Sequence, residues 1–214
     1  MNEKNRVVHL CDSFSGIPEF KNAKHASDRE AHEWGILNKN SVEGVERDAL
    51  TFGLKKEYMR FVKGYFNESL PAMIEKTPSV KFAVARFDGD TYDSTMQALQ
   101  ALYPHISPGG YVIVDDYSDW ISCREAVDEY RSTHNITTPM VLIPYAKGEI
   151  ARGVYWVKDP LRSSKTCVGD GLDAQGKMVS CSPPNHPPTH PIHPPTHPHT
   201  YTPTHLHTHP PTHN

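Results

Sequence analysis

The amino-acid sequence predicts an α/β fold: an open, mainly parallel sheet with helices on both faces. Apolar runs of strand length alternate with segments whose apolar residues recur at helical spacing, which is typical of strand–helix–strand units. The last two apolar runs, residues 139–145 and 153–158, have no helical pattern between them. They are therefore expected to pair antiparallel, as a hairpin at one edge of the sheet.

The first half of the chain predicts two strands and two helices. Residues 6–12 are a short apolar run that ends in Asp12, which predicts the first strand. Residues 41–53 place apolar side chains at helical spacing, and Ser41 and Gly53 are suited to begin and end that helix. A strand over 59–66 and a short helix over 69–77 follow.

The second half continues the alternation. Residues 80–87 are apolar on both alternating faces, as expected of a central parallel strand. Residues 92–106 carry one apolar stripe and predict a helix. The Pro-Gly-Gly segment 108–110 is expected to end that unit, and residues 111–114 to form the next buried strand. Residues 122–134 predict a further helix.

Composition excludes several classes of function. The chain has 214 residues and a net charge of −3, so it lacks the basic surface that nucleic acids or anionic membranes require. No apolar run is long enough to span a membrane, and the start has no signal-peptide pattern, so a cytoplasmic location is expected. The four cysteines show no C-x-x-C pair, which argues against a zinc site or a disulfide framework.

The composition changes sharply near Lys158. We expect one domain over residues 1–158, a linker over 159–181 and a tail over 182–214 that is almost only Pro, Thr and His. Such a tail cannot bury enough apolar surface to offset its ordering entropy, so disorder is predicted. His-rich tracts can bind zinc, copper or nickel, but low-complexity sequence without a role is the favoured interpretation, because a flexible tract fixes no ligand geometry.

Pairs of aspartates follow two of the predicted strands. Asp88 and Asp90 come after 80–87, and Asp115 and Asp116 come directly after 111–114. Parallel strands of one strand–helix–strand unit end at the same edge, where open α/β sheets bind ligands.

Four carboxylates together raise each other's pKa unless a cation is present. A set of oxygen ligands suits Mg²⁺ before Ca²⁺. The alternative is that these aspartates cap the helices that follow. Asp12 also lies at a strand end, where an acid can accept hydrogen bonds from ribose hydroxyls.

The sequence resembles the macrocin O-methyltransferase (TylF-like) family of S-adenosylmethionine-dependent methyltransferases. The matching stretches are DSFSGIP (12–18), FVKGYFNESLP (61–71), RFDGDTYDSTMQAL (86–99), LYPHISPGGYVIVDDY (102–117), CREAVDEYR (123–131) and GVYWVK (153–158). These stretches occur in the same order as in the family, whereas residues 19–40 match no conserved stretch of the family firmly. The resemblance implies a Rossmann-like class I methyltransferase sheet.

The resemblance also implies roles for individual residues. Mg²⁺ would be held by Asp88, Asp115 and Asp116, with Asp90 close by as the general base. The methyl donor would be bound by Asp12 and Ser13 at its ribose and by Gly64 and Tyr65 near its adenine. The acceptor in the family is typically a small molecule, a natural product that presents a sugar hydroxyl.

The family normally has an earlier strand and a Gly-containing turn, but only residues 1–5 precede the first strand here. The resemblance therefore implies a sheet that lacks its first central strand, between the strand ending in Asp12 and the strand 80–87. The two flanking strands would then either lack partners or pair directly with each other.

Two alternatives remain open at this point. One is a non-catalytic, degenerate methyltransferase domain with a metal-binding His-rich tail. The other is a phosphatase of the haloacid-dehalogenase type, because the segment DGDT matches that family's D-x-D-x-T loop, with Asp88 as nucleophile and Asp90 as acid. Too few residues separate Asp88 from Asp115 for the lysine strand of such a phosphatase.

Overall fold

The computed structural model describes residues 6–33, 40–143 and 153–159. Within these residues the strands form two separate sheets, one of two strands and one of four. The predicted linker (159–181), apart from its first residue, and the predicted tail (182–214) lie outside the described residues. None of the described helices is long and apolar enough to cross a membrane.

The first sheet pairs the two strands of the N-terminal half. Strands β1 (Val8–Asp12) and β2 (Met59–Lys63) are parallel, with Asp12 opposite Lys63. Strand β2 is shorter than predicted, because the chain has already entered the next helix at Phe66. The elements between them are helix α1 (Ala26–Glu30), a 3-10 turn (Ala31–Glu33), helix α2 (Val42–Thr51) and a second 3-10 turn (Lys56–Tyr58).

Helix α2 begins where its sequence predicts. The side chain of Ser41 accepts a hydrogen bond of 3.0 Å from the backbone N–H of Gly44, which is the geometry of an N-cap. The helix ends at Thr51, two residues before Gly53. Helix α3 (Phe66–Lys76) then packs against β1 and β2 and also against the helix that follows β3, so it joins the two sheets.

The second sheet mixes parallel and antiparallel strands. In spatial order it contains β3 (Phe82–Phe87), β4 (Ile106–Val114), β6 (Val154–Val157) and β5 (Val141–Leu142). Strands β3 and β4 are parallel, whereas β6 is antiparallel to both of its neighbours. The expected antiparallel pairing of the last two strands is therefore confirmed.

One face of this sheet is covered by helices α4 (Tyr92–Leu102) and α5 (Ile121–Thr133). The buried core holds side chains from that face and from both helices, including Phe87, Val112, Val114, Trp156, Leu99 and Val127. On the opposite face, Val84 is 54% exposed and Tyr111 is 48% exposed. The prediction that residues 80–87 are buried on both faces is wrong, and in the described residues helices bury only one face of this sheet.

The two sheets do not join through their neighbouring edge strands. In the described part of the chain, β1 pairs only with β2, and β3 pairs only with β4. Direct pairing of β1 with β3, one of the two expectations for a sheet without its first central strand, is therefore excluded. The ends of both strands instead border a shared cavity, which is lined by Asp12 and Ser13 on one side and Asp88 on the other.

The Pro-Gly-Gly segment 108–110 was expected to separate the helix before it from the next strand. It lies instead inside β4. The pairing with β3 shifts register between Phe82 and Val84, and the backbone N–H of Gly109 instead donates to the carbonyl of Lys158 at 2.8 Å. Gly110 lies where the backbones of β3 and β4 approach each other closely. A Cβ there would lie 2.8 Å from Ser107 O and 3.0 Å from Ala83 O.

We therefore expect Gly110→Ala to lower the free energy of unfolding by roughly 1–3 kcal/mol, because the added methyl group would force the backbone of β3 and β4 apart. Urea denaturation followed by circular dichroism measures this change. Gly44→Ala, inside α2, is the matched control. Its Cβ would meet only side-chain atoms, the nearest being Ser41 Oγ at 3.3 Å, so little loss is expected. Equal stability of the two variants would contradict the close approach at Gly110.

Candidate functional site

Two acidic loops meet at the carboxyl edge of the β3–β4 pair. Phe87 lies opposite Val114 at the ends of these strands, and the backbone N–H of Asp115 donates to the carbonyl of Phe87 at 3.0 Å. This pairing brings one carboxylate oxygen each of Asp88, Asp90 and Asp116 within 4.8 Å of one another. The geometry matches a shared site for one divalent cation.

Asp115 faces a different partner. Its Oδ2 accepts a hydrogen bond of 2.5 Å from Nη2 of Arg86, while Nη1 of the same guanidinium lies 2.7 Å from Asp88 Oδ2. Arg86 and Asp88 are two residues apart, so their side chains leave the strand on the same side. The structure thus places a permanent positive charge among the acids. Sequence reasoning missed it, although the i, i+2 spacing of Arg86 and Asp88 was a usable signal.

The aspartates do not cap the helices that follow them. The N-cap of α4 is Thr91, whose Oγ1 accepts from the N–H of Ser94 at 3.4 Å, and the N-cap position of α5 is Trp120. The capping interpretation of the aspartate pairs is therefore wrong. Asp90 also holds a left-handed backbone conformation (φ 53°), which is uncommon outside glycine and typical of functional sites.

The electrostatics of the cluster favour a cation. Burial, and then the charges of Asp90 and Asp88, raise the pKa of Asp116 to about 7. Burial and the neighbouring charges of Asp88 and Asp115 raise the pKa of Asp90 to about 6. In the described residues the buried Oδ2 of Asp116 has no hydrogen-bond partner. An unsatisfied buried oxygen among crowded carboxylates is the environment that a hard cation stabilises, so the residues present fit Mg²⁺.

A cavity of about 220 Å³ connects this cluster to the end of β1. Its walls include residues at the ends of β1, β2 and β3 and on the helices α3 and α4: Asp12, Ser13, Tyr65, Phe66, Asp88, Asp90, Ser94 and Gln97. Five of the residues with predicted site roles therefore border one space. Gly64 lies just behind this wall, where its N–H donates to the carbonyl of Asp12 at 3.0 Å.

The loop after β1 is held in shape by its own side chains. Asp12 Oδ1 accepts from the N–H of Phe14 at 2.6 Å. The hydroxyl of Ser13 donates to the carbonyl of Gly16 at 2.7 Å and accepts from the N–H of Ser15 at 3.0 Å. These bonds fix the Asp12 carboxylate at the mouth of the cavity.

Sequence reasoning also missed Asp28, which lies in the unmatched segment 19–40. Its side chain is fully buried and contacts the first residues of both α4 and α5. No local pattern reveals such a residue, because its partners are 64 and 94 positions away.

Comparison with known proteins gives a consistent result. Residues 1–158 match the family model described as Macrocin-O-methyltransferase (TylF). Demethyldecarbamoylnovobiocin O-methyltransferase of Streptomyces niveus is 39% identical over 155 residues, which are 72% of this chain and 55% of that protein. A Streptomyces olivaceus enzyme, 8-demethyl-8-(2,3-dimethoxy-alpha-L-rhamnosyl)-tetracenomycin-C 4'-O-methyltransferase, is 39% identical over 153 residues, 71% of this chain and 54% of that protein.

The fold agrees with a solved structure of the same kind. The O-methyltransferase NovP superposes with a TM-score of 0.63 at 39% identity, over 72% of this chain and 61% of that chain. The chain spans about half the length of the curated relatives it matches. The family match over residues 1–158 confirms the resemblance seen in the sequence, and the chain belongs to the TylF family of macrocin O-methyltransferases.

Proposed function

We propose that this domain takes part in Mg²⁺-dependent transfer of a methyl group from S-adenosylmethionine to a hydroxyl of a small-molecule acceptor. The observation that carries the proposal is the convergence of Asp88, Asp90 and Asp116 within 4.8 Å. Two of these residues, Asp88 and Asp90, line a cavity that reaches Asp12. Family membership supplies the class of reaction.

The acceptor class is proposed from the relatives. One is named for a novobiocin precursor and another for the 4'-O position of a rhamnosyl-tetracenomycin. A sugar hydroxyl on a natural product is therefore the proposed acceptor. Such a hydroxyl is a poor nucleophile at neutral pH, so the site must both orient it and accept its proton.

We assign the cation to Asp88 and Asp116, which belong to the cluster, and to Asp115, which the family resemblance implies and which contacts Arg86 in the structure. Bound there, Mg²⁺ would lower the pKa of an acceptor hydroxyl and orient its oxygen. Arg86 already contacts Asp88 and Asp115, so a cation that uses these two carboxylates would have to compete with its guanidinium. Asp116 contributes the buried oxygen that has no partner among the described residues.

Asp90 is the proposed general base. It lines the cavity, and its pKa is raised to about 6, so at neutral pH its carboxylate is ionised yet more basic than an ordinary aspartate. The acceptor's proton would pass to this carboxylate. The donor sulfonium supplies the reactive methyl group, and Asp12 with Ser13, Gly64 and Tyr65 would hold the donor against the wall of the cavity.

Asp116→Asn is expected to weaken Mg²⁺ binding by at least about tenfold, because it replaces a charged oxygen ligand by a neutral amide. Isothermal titration calorimetry measures the affinity. Asp48→Asn is the matched control, since Asp48 is exposed on α2 and its carboxylate pairs with the neighbouring Arg47. Equal affinities for the wild type and Asp116→Asn would remove Asp116 from the ligand set.

Asp90→Asn is expected to lower the rate of methyl transfer by about 10²–10⁴-fold, because the amide cannot accept the acceptor's proton. The assay follows labelled methyl groups from S-adenosylmethionine into a panel of glycosylated natural products at saturating Mg²⁺. Transfer by Asp90→Asn at the wild-type rate would contradict its role. Saturable donor binding without transfer to any acceptor in the wild type would instead favour a non-catalytic domain.

Asp12→Asn is expected to weaken binding of S-adenosylmethionine by roughly tenfold to hundredfold, since hydrogen bonds from ribose hydroxyls to a carboxylate contribute about 1.5–3 kcal/mol. The asparagine oxygen can still accept from the N–H of Phe14, so the loop should keep its shape. Calorimetric titration with the donor measures the change. An unchanged affinity would place the ribose elsewhere.

A further inference from the structure

A single buried carboxylate joins the two acidic loops from outside the cation site. Asp28, on α1, is 0% exposed. Its Oδ2 accepts a hydrogen bond of 2.9 Å from the backbone N–H of Tyr92, the first residue of α4. Its Oδ1 accepts from Nε1 of Trp120 at 3.0 Å and from the hydroxyl of Ser122 at 2.7 Å, both at the start of α5.

These contacts lie next to the site residues along the chain. Tyr92 follows Asp90 by two residues, and the backbone N–H of Trp120 donates to the carbonyl of Asp116 at 2.9 Å. The strand ends fix the beginning of each loop, through the pairing of Phe87 with Val114. Asp28 fixes the other end of both loops at once.

We propose that Asp28 is a positioning residue that holds the loops 88–91 and 115–120 at the separation that the cation site needs. Its place in catalysis rests on the proposed function, but the mechanical link between the loops does not. Arg86 joins the beginnings of the two loops, through Asp88 and Asp115, and Asp28 joins their far ends. Side chains that orient metal-binding groups typically change metal affinity or activity by 10–100-fold when removed.

The chemistry of the contacts requires a carboxylate. Asp28 accepts on both oxygens, from a backbone N–H on one side and from an indole N–H and a hydroxyl on the other. An asparagine has one oxygen and an NH₂ group that can only donate. Whichever way the amide turns, a donor would face a donor on one side. With the NH₂ group toward α4 the bond to the Tyr92 N–H is lost, and with it toward α5 the bond to Trp120 Nε1 is lost while the Ser122 hydroxyl can still accept. Asp28→Asn therefore removes at least one of the hydrogen bonds that link the loops.

The test compares Asp28→Asn and Ser122→Ala with the wild-type chain. Ser122→Ala removes one donor from the α5 side and leaves the carboxylate in place. Thr77→Val is the matched control, because it also removes a partly buried hydroxyl hydrogen bond, from Thr77 to the carbonyl of Met73 at the end of α3. Backbone hydrogen exchange without metal, Mg²⁺ affinity by calorimetry and thermal unfolding are measured for each.

We expect Asp28→Asn to speed hydrogen exchange several-fold in both loops and to weaken Mg²⁺ binding by about 10–100-fold. Ser122→Ala should also speed loop exchange and weaken Mg²⁺ binding, each by a smaller factor. If Asp28→Asn fails to fold, Ser122→Ala alone decides the test. Thr77→Val should lower the unfolding temperature without changing Mg²⁺ affinity.

Faster exchange confined to α1, or a loss of Mg²⁺ affinity equal to that of Thr77→Val, would overturn the proposal. The two proposals fail in distinguishable ways. If the wild-type chain binds no Mg²⁺, the proposed function fails, and the exchange measurement alone decides the role of Asp28. If the wild type binds Mg²⁺ and neither Asp28→Asn nor Ser122→Ala changes loop exchange, the role of Asp28 fails alone.

Discussion

The parallel pairing of β3 with β4 is the constraint on which the site depends. Its register places Phe87 opposite Val114, so the two loops that carry aspartates leave the sheet side by side. Carboxylates held this close repel each other and lose hydration, as the raised pKa values of Asp90 and Asp116 show. The hydrogen bonds and packing of the sheet must offset that repulsion, which is a common compromise between stability and function.

Features with a local cause were predictable from the sequence. The N-cap at Ser41, the alternation of strands and helices, and the aspartates that follow strands β3 and β4 all follow from short patterns. Asp28 was not predictable, because a buried polar side chain in an irregular segment has no periodicity and its partners are distant in sequence. The place of the Pro-Gly-Gly segment inside β4 was not predictable, since an irregularity within a strand uses the same residues as a turn.

The motif DGDT illustrates how little a short acidic pattern specifies by itself. The same letters suit a phosphatase loop and a methyltransferase loop, because both need oxygen ligands at the end of a strand. The family match over residues 1–158 favours the methyltransferase interpretation of Asp88 and Asp90. In the structure, Asp116 follows the adjacent parallel strand, and its carboxylate lies within 4.8 Å of those of Asp88 and Asp90, so the cluster draws on two loops.

Arg86 places a competing positive charge at the proposed cation site. Its guanidinium already holds Asp88 and Asp115 through two short, charge-assisted contacts. Any ion that uses those carboxylates must compete with a group that never loses its charge. By charge alone, a divalent ion would gain about twice the attraction that Na⁺ or K⁺ would gain from the same two carboxylates. In the proposed site, competition with the arginine would therefore favour divalent over monovalent ions.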